Sequence, residues 1–260
     1  MAKLTISLAQ MNIKLGDVRK NLNTMQQLAV EAGRRGSHLL VLTELWSTGY
    51  ALDQSKELAN TLNTGMFTQV TTIAQQNKLS IVGSILEKRG VEVTNSAAFF
   101  APNGRMMGVY RKIHLFRLMD EDKWLQPGSA PLTIDLPWGT TGIAICYDLR
   151  FPELFRQYAV DGAKMIIIPA EWPAARVEHW RTLLQARAIE NQCYIVATNA
   201  VEETGDTVFG GHSMIVDPWG KIVIEGGDSA MLLTAEIELD LVDEVRQRIP
   251  VFDDRRPDLY

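Results

Sequence analysis

Cys146 closes the apolar run Gly142-Ile-Ala-Ile-Cys146, and a short polar turn then leads to Pro152 and Glu153, which open a helical pattern. Strand, elbow and helix in that order expose one side chain at the edge of a sheet. A thiol beside a helix N-terminus has its thiolate favoured by the positive end of the helix dipole. The same residue also fits a small buried hydrophobe, as Cys193 does at the head of CYIVA with no turn after it. Glu44 ends a second apolar run, LLVLTE, and LWSTGY follows. A carboxylate at a strand end among apolar neighbours should have its pKa raised by desolvation, which suits a general base near neutral pH. A salt-bridged or capping glutamate fits that pattern equally. Lys112 in YRKIHLF sits between apolar residues and could project into a pocket to steady an oxyanion, or snorkel at the surface. Asp120-Glu121-Asp122 follows, either as a solvated loop or with one carboxylate facing the same pocket.

The elements that must position these groups are short and mixed. Strand patterns are predicted at residues 4–11, 39–42, 81–86, 97–101, 142–146, 165–168, 194–198, 213–216, 222–224 and 231–237. Some alternate, as for one buried face; others are continuously apolar, as for strands covered on both. Helical periodicity is predicted over Val18–Arg34, with Asp17 as N-cap and Gly36 as stop, and over 66–77, 152–160, 176–191 and 241–248. Pro102-Asn103-Gly104 marks the turn of an antiparallel hairpin running from Ala97 to Tyr110. No linker or repeat divides the chain. We read a single α/β domain over residues 1–260, with 250–260 as a polar C-terminal tail, frayed or laid across another subunit.

Composition excludes several function classes. The chain is 46% hydrophobic, which argues against disorder, and its net charge of −5 gives no reason to expect nucleic acid or an anionic membrane as partner. The apolar stretch 165–168 is closed by Pro169, far short of a membrane span. Polar residues interrupt the opening MAKLTISLAQMN, so no signal peptide is read, and two cysteines suit a reducing, cytoplasmic setting. Neither G-x-S-x-G, nor the P-loop, nor G-x-G-x-x-G occurs. The four histidines lack metal-ligand spacing, so no metal and no cofactor are expected.

In order along the chain, Glu44 in LTELWSTGY, Lys112 in YRKIHLF and Cys146 in ICYDLRFPE resemble the Glu-Lys-Cys triad of the nitrilase superfamily of carbon–nitrogen hydrolases. The resemblance extends to the closing DRRPDLY. It implies a four-layer α-β-β-α sandwich that assembles as a homodimer or higher homo-oligomer. It implies Cys146 as nucleophile, Glu44 as base, and Lys112 with the backbone N–H of Tyr147 at the oxyanion. It further implies a second pocket glutamate, assigned to Glu121 by its distance from Leu125-Gln126-Pro127-Gly128, with Asp120 and Asp122 as rivals.

True nitrilases commonly carry Trp after the cysteine; Tyr147 and CYDLRFPE resemble the amidase branches instead. PAEWP (169–173), RAIENQ (187–192) and the DRRP tail resemble the ω-amidase group, which implies a small-molecule 2-oxoacid amide such as 2-oxoglutaramate as substrate. A substrate carboxylate requires a cation, for which Arg117, Arg150 and Arg176 are placed, although Arg150 also fits an ion pair with Asp148 or Glu153. Tyr50 and Trp172 are candidate pocket walls. The alternatives are another amidase of the family (acting on deaminated glutathione, aliphatic amides or N-carbamoyl compounds), or a non-catalytic interaction protein that keeps the fold.

Overall fold

The computed structural model describes residues 3–259; Met1, Ala2 and Tyr260, the ends of the opening segment and of the tail, lie outside the described residues. Its strands are β1 (Lys3–Gln10), β2 (Leu39–Val41), β3 (Ser80–Arg89), β4 (Glu92–Phe100), β5 (Met106–Arg111), β6 (Thr133–Leu136), β7 (Gly139–Ile143), β8 (Met165–Ala170), β9 (Tyr194–Asn199), β10 (Val201–Thr204), β11 (Thr207–Gly210), β12 (Met214–Val216), β13 (Ile222–Glu225) and β14 (Met231–Glu238). The helices are α1 (Val18–Arg34), α2 (Ser55–Leu58), α3 (Gly65–Asn77), α4 (Glu121–Trp124), α5 (Pro152–Val160), α6 (Val177–Asn191) and α7 (Asp240–Arg248).

Two six-stranded sheets result, ordered β14-β1-β2-β3-β4-β5 and β13-β12-β9-β8-β7-β6. Each has a parallel centre, β1-β2-β3 in one and β7-β8-β9 in the other, with antiparallel strands outside. The short hairpin β10-β11 stands apart and bridges Phe209 to Pro173.

Pleating explains the layers. Leu39 and Val41 join Leu4, Ile6 and Leu8 in a core shared with Ile143, Ile145, Ile167 and Val196 of the second sheet, while Leu40 and Leu42 face Met25, Ala29, Phe67 and Val70 of α1 and α3. Because β2 is buried on both sides, its sequence is continuously apolar rather than alternating. Phe155, Tyr158, Trp180, Leu184 and Ala188 of α5 and α6 cover the far side of the second sheet. The expected α-β-β-α sandwich is therefore the fold. A Thr198 hydroxyl donates to the Val41 carbonyl at 3.3 Å across the two sheets.

Local signals explain some element ends. The Asp17 side chain caps α1 by accepting from the Lys20 N–H at 3.1 Å, and Pro152 occupies the first turn of α5. Three expectations need correction. The strand read to Cys146 stops at Ile143, and 146–150 form a 3₁₀ turn. The strand read over 97–101 begins at Glu92, because Thr94, Asn95 and Ser96 are buried polar residues that broke the apolar pattern. The tail is neither frayed nor free at Phe252, whose ring lies under the guanidinium groups of Arg156 and Arg246 at 5.5 and 4.9 Å. No helix among the described residues is long and apolar enough to cross a membrane.

Candidate active site

The carboxyl ends of the parallel strands converge on one edge of the sandwich. Glu44 follows β2 in a turn fastened to β3: Leu42 N–H donates to the Val82 carbonyl at 2.8 Å and Leu45 N–H to Ser84 Oγ at 2.8 Å. Lys112 follows β5, its N–H donating to the Asn95 carbonyl at 2.9 Å and its carbonyl accepting from Gly128 N–H at 2.8 Å. Gly128 is required there, since a Cβ would stand 2.1 Å from the Arg111 carbonyl oxygen. Cys146 follows β7 with φ of +44°, in the left-handed region that non-glycine residues seldom adopt.

What holds that conformation is Asp148. It is fully buried, and its carboxylate accepts from Ile145 N–H at 2.9 Å, Tyr110 Oη at 2.7 Å and His114 N–H at 3.0 Å, with His114 Nδ1 at 2.7 Å. His114 in turn stacks on Phe151, ring centroids 3.6 Å apart. The elbow is thereby tied to β5 from both sides.

Lys112 Nζ donates to Glu44 Oε1 at 2.7 Å and to Glu121 Oε1 at 2.5 Å, and all three side chains are inaccessible to solvent. Glu44 is completed by Asn95 Nδ2 on Oε1 at 2.7 Å and by Glu171 N–H on Oε2 at 3.0 Å. Glu121 accepts from Tyr50 Oη at 2.6 Å and from Phe116 N–H at 2.7 Å.

Burial disfavours charge on Lys112, but the Glu121 and Glu44 carboxylates outweigh it and hold its pKa above the ordinary lysine range. Burial raises the pKa of Glu121, an effect that Lys112 opposes. Burial and the Glu44 carboxylate push the Cys146 thiol well up. The expectation of a dipole-favoured thiolate is thus overturned: desolvation and a neighbouring anion exceed what a helix terminus offers. The resting group is a thiol, and an adjacent base is needed to make it a nucleophile.

Residues 5–247 match the carbon–nitrogen hydrolase family. This chain belongs to that family. The hydrolase is 40% identical over 259 residues to the 2-oxoglutaramate amidase of Bacillus subtilis (strain 168), covering 99% of this chain and all of that protein. It superposes on Saccharomyces cerevisiae Nit3, a member of branch 10 of the nitrilase superfamily, with a TM-score of 0.90 at 30% identity, over 98% of this chain and 97% of that one. It also superposes on a mutant amidase from Nesterenkonia sp. AN1 that carries the acetamide moiety of fluoroacetamide covalently on its active-site cysteine. There the TM-score is 0.89 at 25% identity, over 98% of this chain and 95% of the other.

The hydrolase brings Glu44, Lys112, Glu121 and Cys146 together, and Glu121 rather than its neighbours enters the cluster: Asp120 instead pairs with Lys123 at the surface, and Asp122 is exposed. A small space beside Cys146 is lined by Phe116, Tyr147, Arg150, Trp172 and Arg176. Tyr50 is not among the residues lining that space, and its hydroxyl donates to Glu121. Arg117 lines a neighbouring cavity of about 610 Å³ rather than the space at the cysteine. Arg150 does not pair with Asp148 or Glu153; it lies over the Trp172 ring at 4.7 Å, with Nη2 at 3.4 Å from His179 Nδ1. Cys193 is core, its thiol pushed up to about 12 by burial. Sequence reasoning missed Asn95, Asp148 and Glu171 as parts of the site. Asp148 alone had a signal, a carboxylate two positions after the cysteine in the turn before the helix.

Proposed function

We propose that this carbon–nitrogen hydrolase is an ω-amidase, converting the terminal carboxamide of a small 2-oxoacid such as 2-oxoglutaramate to carboxylate and ammonia. The observation that carries the reading is the buried Glu44–Lys112–Glu121 cluster beside Cys146, with two arginines on the adjoining space. Neither Arg150 nor Arg176 makes an ion pair among the described residues, so each is available to a substrate carboxylate. The B. subtilis relative named 2-oxoglutaramate amidase supports the same substrate class.

Glu44 takes the Cys146 proton as Sγ attacks the amide carbonyl carbon. The carbonyl π electrons move onto oxygen, where the Lys112 ammonium and the Tyr147 N–H stabilise the charge. Glu44 gives its proton to the amide nitrogen, the C–N bond breaks and ammonia leaves a thioester. Glu44 then removes a proton from water, hydroxide adds to the thioester, and collapse releases the acid while the proton returns to Sγ. Glu121 and Tyr50 hold Lys112 in place throughout. Arg150 binds the distal carboxylate against the Trp172 wall, Arg176 flanks it, and Arg117 serves the outer approach.

We further place the protein in the cytoplasm as a single-domain homodimer or higher homo-oligomer. Two unpaired cysteines support the compartment, and exposed Val160 and Ile189 on the outer helices support self-association. Ammonia release from 2-oxoglutaramate, measured beside glutamine, a simple aliphatic amide, deaminated glutathione and a nitrile, tests the activity. Fast release from 2-oxoglutaramate with glutamine slow is expected. Activity on another amide alone would overturn the substrate, and silence on all would overturn the amidase reading.

A further inference from the structure

Glu171 follows β8 directly, one residue before Trp172, and the reaction above does not use its side chain. It is completely buried, yet neither carboxyl oxygen has a hydrogen-bond partner among the described residues. The other buried carboxylates of the site are fully engaged: Glu44 by Lys112, Asn95 and a main-chain N–H, Glu121 by Lys112, Tyr50 and Phe116, and Asp148 by Tyr110, His114 and Ile145. A bare carboxylate in a dry interior is prohibitively expensive, whereas the acid form is tolerated.

The groups that face Glu171 are Glu44 after β2, Lys112 after β5 and Glu121 on α4. One ammonium against two carboxylates already leaves this cluster negative. Burial and Glu44 together hold the Glu171 carboxyl well above the usual carboxylate range.

We propose that Glu171 is a positioning residue carried as the neutral acid: its main-chain N–H fixes Glu44 Oε2, and its uncharged side chain spares the reaction a third anion. The inference rests on Glu44 acting as the base. Were Glu171 ionised, its charge would oppose negative charge building on Sγ and on the oxyanion. Activity should therefore fall on the alkaline side as Glu171 loses its proton. Lys112 and the Cys146 thiol are also held above their ordinary ranges, so it is the movement of the limb on replacing Glu171 that identifies the group.

The test is the pH profile of kcat/KM for wild type, Glu171→Gln and Glu171→Met, two uncharged side chains of similar length. In both variants the alkaline limb should move up by about one pH unit or more. An unchanged alkaline limb, or a folded variant that loses more than about a hundredfold at neutral pH, would overturn the proposal. A second measurement needs no turnover and so separates this inference from the amidase reading. Infrared difference spectra of the Cys146→Ala protein between neutral and alkaline pH should contain a protonated-carboxyl carbonyl band that vanishes on ionisation and is missing when Glu171→Gln is added. Persistence of that band in the double variant would overturn it equally.

Discussion

Replacing Lys112 by Met keeps the aliphatic stem and removes the charge. The two oxygens that share Nζ, Glu44 Oε1 at 2.7 Å and Glu121 Oε1 at 2.5 Å, would then face each other across a solvent-free gap no wider than those distances combined. Deleting one partner of a buried charge set costs about 3–5 kcal/mol, because it strands the others. At roughly 2–4 °C per kcal/mol for a chain of this size, Tm should fall by about 6–20 °C. The penalty depends on pH in a defined direction. Without the ammonium, burial and mutual repulsion raise the carboxyl pKa values in the folded state, as burial already does for Glu121. A carboxyl with a raised folded pKa binds its proton more tightly when folded. Its adverse contribution is absent below the unfolded value of about 4.3 and grows as pH climbs toward the folded one. Urea unfolding of wild type and Lys112→Met at pH 5 and pH 8 is the assay. The loss should be distinctly larger at pH 8. Equal losses at both pH values, or a loss under about 1 kcal/mol at pH 8, would refute the picture of a lysine neutralising two buried carboxylates.

Cys146→Ala should lower ammonia release by about 10⁴-fold or more while leaving the circular dichroism spectrum intact, since nucleophile and base act as a unit; substantial residual turnover would sink the thioester route. Arg150→Leu should raise KM for 2-oxoglutaramate about tenfold or more, the worth of a charged hydrogen bond, and leave a neutral aliphatic amide unaffected; parallel losses on both substrates would argue against carboxylate recognition. Asp148→Asn turns an amide N–H₂ toward groups that now donate to a carboxylate, and should cost about 2–3 kcal/mol in urea unfolding with reduced kcat. A near-neutral result there would mean that the elbow does not depend on those bonds.

Glu44 and Cys146 stand out because each closes an apolar run, whereas Lys112 follows Arg111 and is picked out by the resemblance to the family triad. The helix over Val18–Arg34 was legible to its last residue because the Asp17 cap and the Gly36 stop bracket a clean apolar stripe. The first half of β4 was hidden for the opposite reason. Thr94 and Ser96 are buried against Glu87, which Arg111 neutralises at 2.7 Å, so polarity did not mean exposure. Asn95 and Glu171 were invisible as site residues because their partner, Glu44, is distant in sequence; only the meeting of two sheets brings them to it. The state of the thiol was misread because a helix terminus is a local feature, whereas the desolvation that outweighs it comes from the whole surrounding fold.

The left-handed backbone at Cys146 sets the protein's chemistry against its own durability. A side chain in that region costs on the order of 1–3 kcal/mol that glycine would not. Cys146→Gly should therefore relieve backbone strain and abolish turnover in the same step. A library screened for heat resistance alone would be drawn toward glycine at this one position, enriching robust proteins without a nucleophile. Selection for catalysis must continually oppose that drift, and the anchoring of the elbow through Asp148 is the means by which the folded chain tolerates it.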